Sequence, residues 1–99
     1  MNITPNEIYT IKLITGEEIV TRVISQDPQG LTLENPILCV LSPQGLQMMP
    51  ALFSANMDKK VRLNTGSWAL IAEVREDVRN SWIQATTGIA PASKKILTG

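Results

Sequence analysis

Short strand-like segments recur along the first three quarters of this chain at roughly ten-residue spacing, divided by turn residues. Thr15-Gly16, Asp27-Pro28-Gln29-Gly30, Ser42-Pro43-Gln44-Gly45 and Asn64-Thr65-Gly66-Ser67 punctuate it. In the second of these, Pro28 presets φ and Gly30 closes the turn. The segments between them read as strands. Tyr9, Ile11 and Leu13 alternate with Thr10 and Lys12, the period of a half-buried strand. Glu18 to Ser25 is rich in β-branched residues, and Leu31-Thr32-Leu33-Glu34 alternates again. Asn35-Pro36 predicts a bend that ends this strand, because Pro36 gives no donor to a ladder. Ile37 to Leu41 then forms a strand of its own, apolar on both faces and therefore central or covered. Leu46 to Leu52, Val61-Arg62-Leu63 and Trp68 to Val74 complete the set, with a polar loop over 54–60. Short strands so divided predict a mainly β fold, a small barrel or sandwich.

The period then changes. Val74, Val78, Trp82 and Ala85 share one face at helical spacing, with Arg75, Glu76, Arg79 and Asn80 elsewhere. They predict an amphipathic helix over about 74–87, stopped by Gly88 with Ile89 packing back on the last turn. Such a helix can cover its own barrel or a neighbouring subunit. The tail 88–99 mixes Pro, Ser and Gly and reads as a fraying terminus, its Lys94-Lys95 pair solvated or touching an anionic partner.

A chain of 99 residues predicts a single domain, with the barrel over about 8–74. Nine Lys+Arg balance nine Asp+Glu, which argues against binding nucleic acid by bulk charge but allows a local basic patch. The absence of histidine removes His-based catalysis and imidazole metal sites, and a single cysteine removes an intrachain disulfide and every CxxC motif. Cys39, set among Ile37, Leu38 and Val40, reads as a small buried hydrophobe of a reducing compartment. Met1 to Pro5 lacks the basic and apolar regions of a secretory leader, and the longest apolar run, Ile37 to Leu41, is far below the ~20 residues of a membrane span. A cytoplasmic protein without membrane attachment is expected.

The carboxylates Glu17, Glu18, Asp27, Glu34, Asp58, Glu73, Glu76 and Asp77 show no spacing for an acid–base pair or a metal site, and solvated or turn-capping roles are expected. No enzyme, metal or cofactor is predicted. Two surfaces stand out instead. Leu46 to Phe53 is Met-rich and either fills the core as a strand or, through Met48, Met49, Leu52 and Phe53, joins subunits. Lys59, Lys60 and Arg62 form a dense positive cluster, either a solvated loop or a phosphate contact with Asn56, Asn64 and Gln47 as neutral partners. The aromatics Tyr9, Phe53, Trp68 and Trp82 sit in apolar patterns that predict core positions.

Residues 13–27 combine an apolar strand, a turn with Gly16, the acidic pair Glu17-Glu18, a β-branched strand through Val23 and a turn Asp27, continued by Leu31 and Leu33. This pattern resembles the first motif of Sm-like proteins, and the chain looks like a divergent member of the kind carried by phages. Thr21 stands where that family carries a mid-strand Gly, no Asn follows Asp27, the second motif's basic residue has no counterpart, and the helix comes last rather than first. The resemblance implies a strongly bent five-stranded SH3-type barrel that closes by strand pairing between subunits into a homo-oligomeric ring, here about five to eight copies. It also implies binding of single-stranded RNA, with Asp27 matching by position and Gln29 standing in for the missing Asn. A structural adaptor barrel, holding a protein partner on its Met-rich strand, is the alternative.

Overall fold

The computed structural model describes residues 2–56 and 58–87. The expected helix stop at Gly88, the tail with Lys94-Lys95, and Met57 lie outside the described residues. Six strands precede one helix: β1 (Glu7–Leu13), β2 (Glu18–Asp27), β3 (Gly30–Ser42), β4 (Gly45–Pro50), β5 (Val61–Asn64), β6 (Trp68–Glu73) and α1 (Glu76–Thr87). They form one antiparallel sheet in the order β4-β3-β2-β1-β6, with β5 paired to the first residues of β3 and β4 to its last. No ladder joins β4 or β5 to β6 among the described residues, so the sheet is open. Among them, no helix is long and apolar enough to cross a membrane.

Six strands form, against the seven segments read along the chain and the five that the resemblance implies. The largest correction concerns Asn35-Pro36, which does not end a strand: β3 runs 13 residues through it. Val20 faces Ile37 while Arg22 faces Glu34, so the extra residue is absorbed as a bulge opposite Thr21. Asn35 takes a positive φ of 52° there, a conformation Asn tolerates better than most residues. Each carbonyl around the bulge finds a donor. The Thr21 hydroxyl donates to Glu34 O at 3.0 Å, Trp82 Nε1 to Asn35 O at 2.9 Å and the Ala51 amide to Pro36 O at 3.1 Å. Pro36, buried, has no amide to leave unpaired. Thr21 thus places a buried hydroxyl on the bend.

Alternation along the strands sorts side chains to two faces. On the inner face Tyr9, Ile11, Ile19, Val23, Leu31 and Leu33 form a buried cluster. Val61 and Leu63 of β5 and Trp68 and Ile71 of β6 pack on that same cluster, so both flanks of the sheet curl toward it. On the outer face Ile8, Val20 and Ile37 are covered by Val78 and Trp82 of α1, with Val74 and Ile83 at the margin. The helix therefore covers its own sheet. It begins two residues after Val74, and Ala85, expected in its apolar stripe, is exposed. Arg22 reinforces the seat: its guanidinium lies 5.3 Å from the Trp82 ring centroid, pairs with Glu34 at 3.1 Å and donates to Asn6 O.

Ile37 to Leu41 is covered only in part. The β2 ladder ends where Glu18 meets Cys39, and Leu41 beyond it is 82 % exposed.

Candidate nucleic-acid loop and sheet edges

Asp27 ends β2, and its side chain folds back on the turn it begins. Oδ1 accepts from the amides of Gln29, at 2.8 Å, and Gly30, at 3.1 Å, the Asx geometry that makes Asp a turn residue. Strand parity then brings Arg62 to it. Val61 and Leu63 turn to the inner cluster, so Arg62 between them points outward, opposite Thr32. Its Nη1 donates to Asp27 Oδ2 at 3.0 Å and to Thr32 Oγ1 at 2.7 Å, and its Nη2 donates to Asp27 Oδ1 at 3.1 Å. Arg62, followed by the Gln29 amide, holds the Asp27 carboxyl below its ordinary range, and the pair raises Arg62 in turn. The Thr65 amide donates to Gln29 O and its hydroxyl to Pro28 O, so the β2–β3 and β5–β6 turns are laced together.

Of the five residues expected at an RNA site, three therefore meet: Asp27, Gln29 and Arg62. The guanidinium is committed to Asp27, which removes it from the free basic cluster that Lys59-Lys60-Arg62 suggests. Lys59 and Lys60 remain exposed, and neither ammonium has a partner among the described residues. They follow an Asn56 turn in which Asn56 O accepts from the Lys59 amide and Asn56 Oδ1 from the Asp58 amide. On the same loop, Phe53 is 81 % exposed, a correction to the expected core position; Tyr9 and Trp82 are buried and Trp68 is half-buried against the inner cluster. Phe53 lies three residues past the end of β4, where alternation no longer dictates burial.

The expected interface residues divide. Met48 packs against the outer cluster and Met49 stands half-buried opposite Leu38, whereas Leu52 and Phe53 are exposed. Sequence patterning missed further apolar exposure at Leu46 on β4 and at Leu70 on β6, the latter 64 % exposed. Among the described residues β4, β5 and β6 are each paired on one side only.

The carboxylates are dispersed. Asp27 is held by Arg62, Asp77 by Arg75, Glu34 by Arg22, and Glu17 takes the Thr15 hydroxyl. Burial, with the Glu18 charge behind it, pushes the Cys39 thiol up, which disfavours a reactive thiolate. No family model and no curated protein matches the chain.

Proposed function

We propose that this chain is the subunit of a non-enzymatic, divergent Sm-like ring that binds single-stranded RNA. In this reading the bent sheet is an SH3-type barrel whose closure is completed between subunits. The observation that carries it is the pair of edges, β4 and β6, unpaired among the described residues at opposite ends of one sheet and with matching apolar faces. Met48 faces Cys39, and both pack on the outer cluster, which puts Leu46 on the outer face too. Leu70 faces Lys12, whose side chain shares the outer face with that of Ile8. Pairing β4 of one copy with β6 of the next would set Leu46 and Met48 beside Leu70 and Ala72 on one continuous face. Apolar unpaired edges are an aggregation hazard, and a head-to-tail contact that closes on itself removes it.

RNA binding rests on the loop over 51–60. Lys59 and Lys60 supply cations without a partner among the described residues, and Phe53 supplies an exposed ring of the kind on which bases stack. Asp27, Gln29 and Arg62 hold the neighbouring turns in place for that loop. Ring symmetry repeats two cations per subunit around one axis, which compensates for zero net charge. The small number of free cations favours a second reading, an adaptor ring that holds a protein partner.

Native mass spectrometry of the full chain tests assembly: a homogeneous species of about five to eight subunits is expected, and a monomer or dimer would refute the ring. Oligouridylate binding across a salt series tests RNA. Lys59→Glu with Lys60→Glu is expected to weaken binding and flatten its salt dependence. A ring with no salt-dependent affinity would leave the adaptor reading in place of RNA binding.

A further inference from the structure

Among the described residues, the last residues of β3 are open on one side. Val40, Leu41 and Ser42 pair with Gln47, Leu46 and Gly45 of β4, but on the other side β2 has already ended at Glu18, opposite Cys39. The space beside them is a groove of about 530 Å³ between this stretch and the β1–β2 turn. Leu38, Cys39, Val40 and Leu41 form one wall, and Thr15, Gly16, Glu17 and Glu18 the other. The backbone bonds of the turn stay within it or reach Ser67, so none closes onto β3. Glu17 lies below its ordinary carboxyl range, held there first by the Thr15 hydroxyl, and stays charged at neutral pH.

We infer that this groove binds an extended peptide segment in which lysine or arginine alternates with aliphatic residues, added as a short strand along Val40–Ser42. The open backbone supplies main-chain hydrogen bonds, Val40 and Leu41 supply an apolar contact, and Glu17 and Glu18, outnumbering the Lys12 ammonium that donates to Gly16 O, supply the net negative charge that selects a basic partner. A second copy of the chain is a poorer occupant. Among the described residues three strands are paired on one side only: Gly45–Pro50 and Trp68–Glu73 contain no lysine or arginine, and Arg62 of Val61–Asn64 is already held by Asp27, so none has a free cation to offer the two carboxylates. The groove also stands apart from the edges assigned to ring closure, and its occupancy does not depend on that assembly.

The test is an amide-resolved NMR titration of the full-length protein with acetyl-Lys-Val-Lys-Val-Lys-amide, set against the same peptide with glutamate for lysine. The basic peptide is expected to shift the amides of Val40, Leu41, Ser42 and the Thr15–Glu18 turn saturably, and the acidic peptide to leave them unmoved. Glu17→Gln with Glu18→Gln is expected to weaken binding about four- to twenty-fivefold, about two- to fivefold for each exposed charge pair. Leu41→Ser, at a solvent-exposed position, is expected to weaken it with the spectrum otherwise unchanged. The inference is overturned if both peptides shift these amides alike, if the shifts fall on β4 or β6 instead, if the Gln pair leaves affinity unchanged, or if nothing moves up to about 5 mM peptide.

Discussion

Gly30→Ala separates two reasons for a turn glycine. Gly30 starts β3 opposite Asn64, at φ 152°, and a Cβ built there would stand 2.0 Å from the Leu63 carbonyl oxygen and 3.1 Å from the Asn64 Cα. Both are backbone atoms, so no side chain can swing aside. The strand β5 must retreat by more than an ångström or leave β3. Overpacking of this kind costs about 1–3 kcal/mol, and a β-carbon held at positive φ adds about 1 kcal/mol, for a total of about 2–4 kcal/mol. Gly66→Ala is the control: φ is 91°, nothing lies within 4 Å, and only the backbone term of about 1 kcal/mol applies. Urea unfolding followed by far-UV circular dichroism reads both, at equal protein concentration because assembly adds to apparent stability. Equal losses for the two variants, or a Gly30→Ala loss below about 1 kcal/mol, would refute the claim that β5 rests on Gly30 backbone-to-backbone.

Further perturbations address the helix, the turn pair and the RNA loop. Trp82→Phe removes the donor to Asn35 O and trims a side chain that is 1 % exposed; a loss of about 1–3 kcal/mol in urea unfolding is expected, with the sheet's far-UV signal retained. Asp27 is held below its ordinary value of 3.8, so its contribution is present above about pH 4 and is lost as pH falls through the lower folded value. Thermal unfolding of Asp27→Asn should therefore fall less steeply than wild type below about pH 4, with the two curves farthest apart at neutral pH. Phe53→Ala should weaken oligouridylate binding about five- to 150-fold if the ring stacks on a base, while leaving stability near wild type because the ring touches little of its own chain.

The parts of this fold governed by local chemistry were legible in the sequence. The turns at Gly16, Gly30, Gly45 and Gly66 all form, and the switch from alternating strands to a helix falls within two residues of Val74. What was not legible depends on partners far along the chain. Pro36 has no amide in any fold, but only the folded chain brings Trp82, 47 residues after Asn35, to the carbonyl beside it. With Thr21 and Ala51 also in reach, a position that looks like a break becomes a bend within one strand. Phe53 and Leu41 were misplaced for a related reason. Local hydropathy records that a side chain is apolar, whereas its burial depends on where the neighbouring strand ends.

Arg62 shows how that distinction governs the choice of test. Its neighbours Lys59 and Lys60 make it look like one cation of three, so reversing the charge of Lys60 and Arg62 together seems a direct probe of RNA binding. The guanidinium instead reaches back 35 residues to Asp27, whose carboxylate also fixes the Gln29 and Gly30 amides. Arg62→Glu would set two carboxylates against each other on the turn where β5 must lie close to Gly30, and lost RNA binding could then follow from a displaced β5. Lys59→Glu with Lys60→Glu alters charge on the loop without touching that pair. If this variant keeps the wild-type urea midpoint and subunit number but loses salt-dependent affinity, the loop itself contacts phosphate. If affinity falls only with Arg62→Glu, the loss belongs to the fold, and the adaptor reading gains.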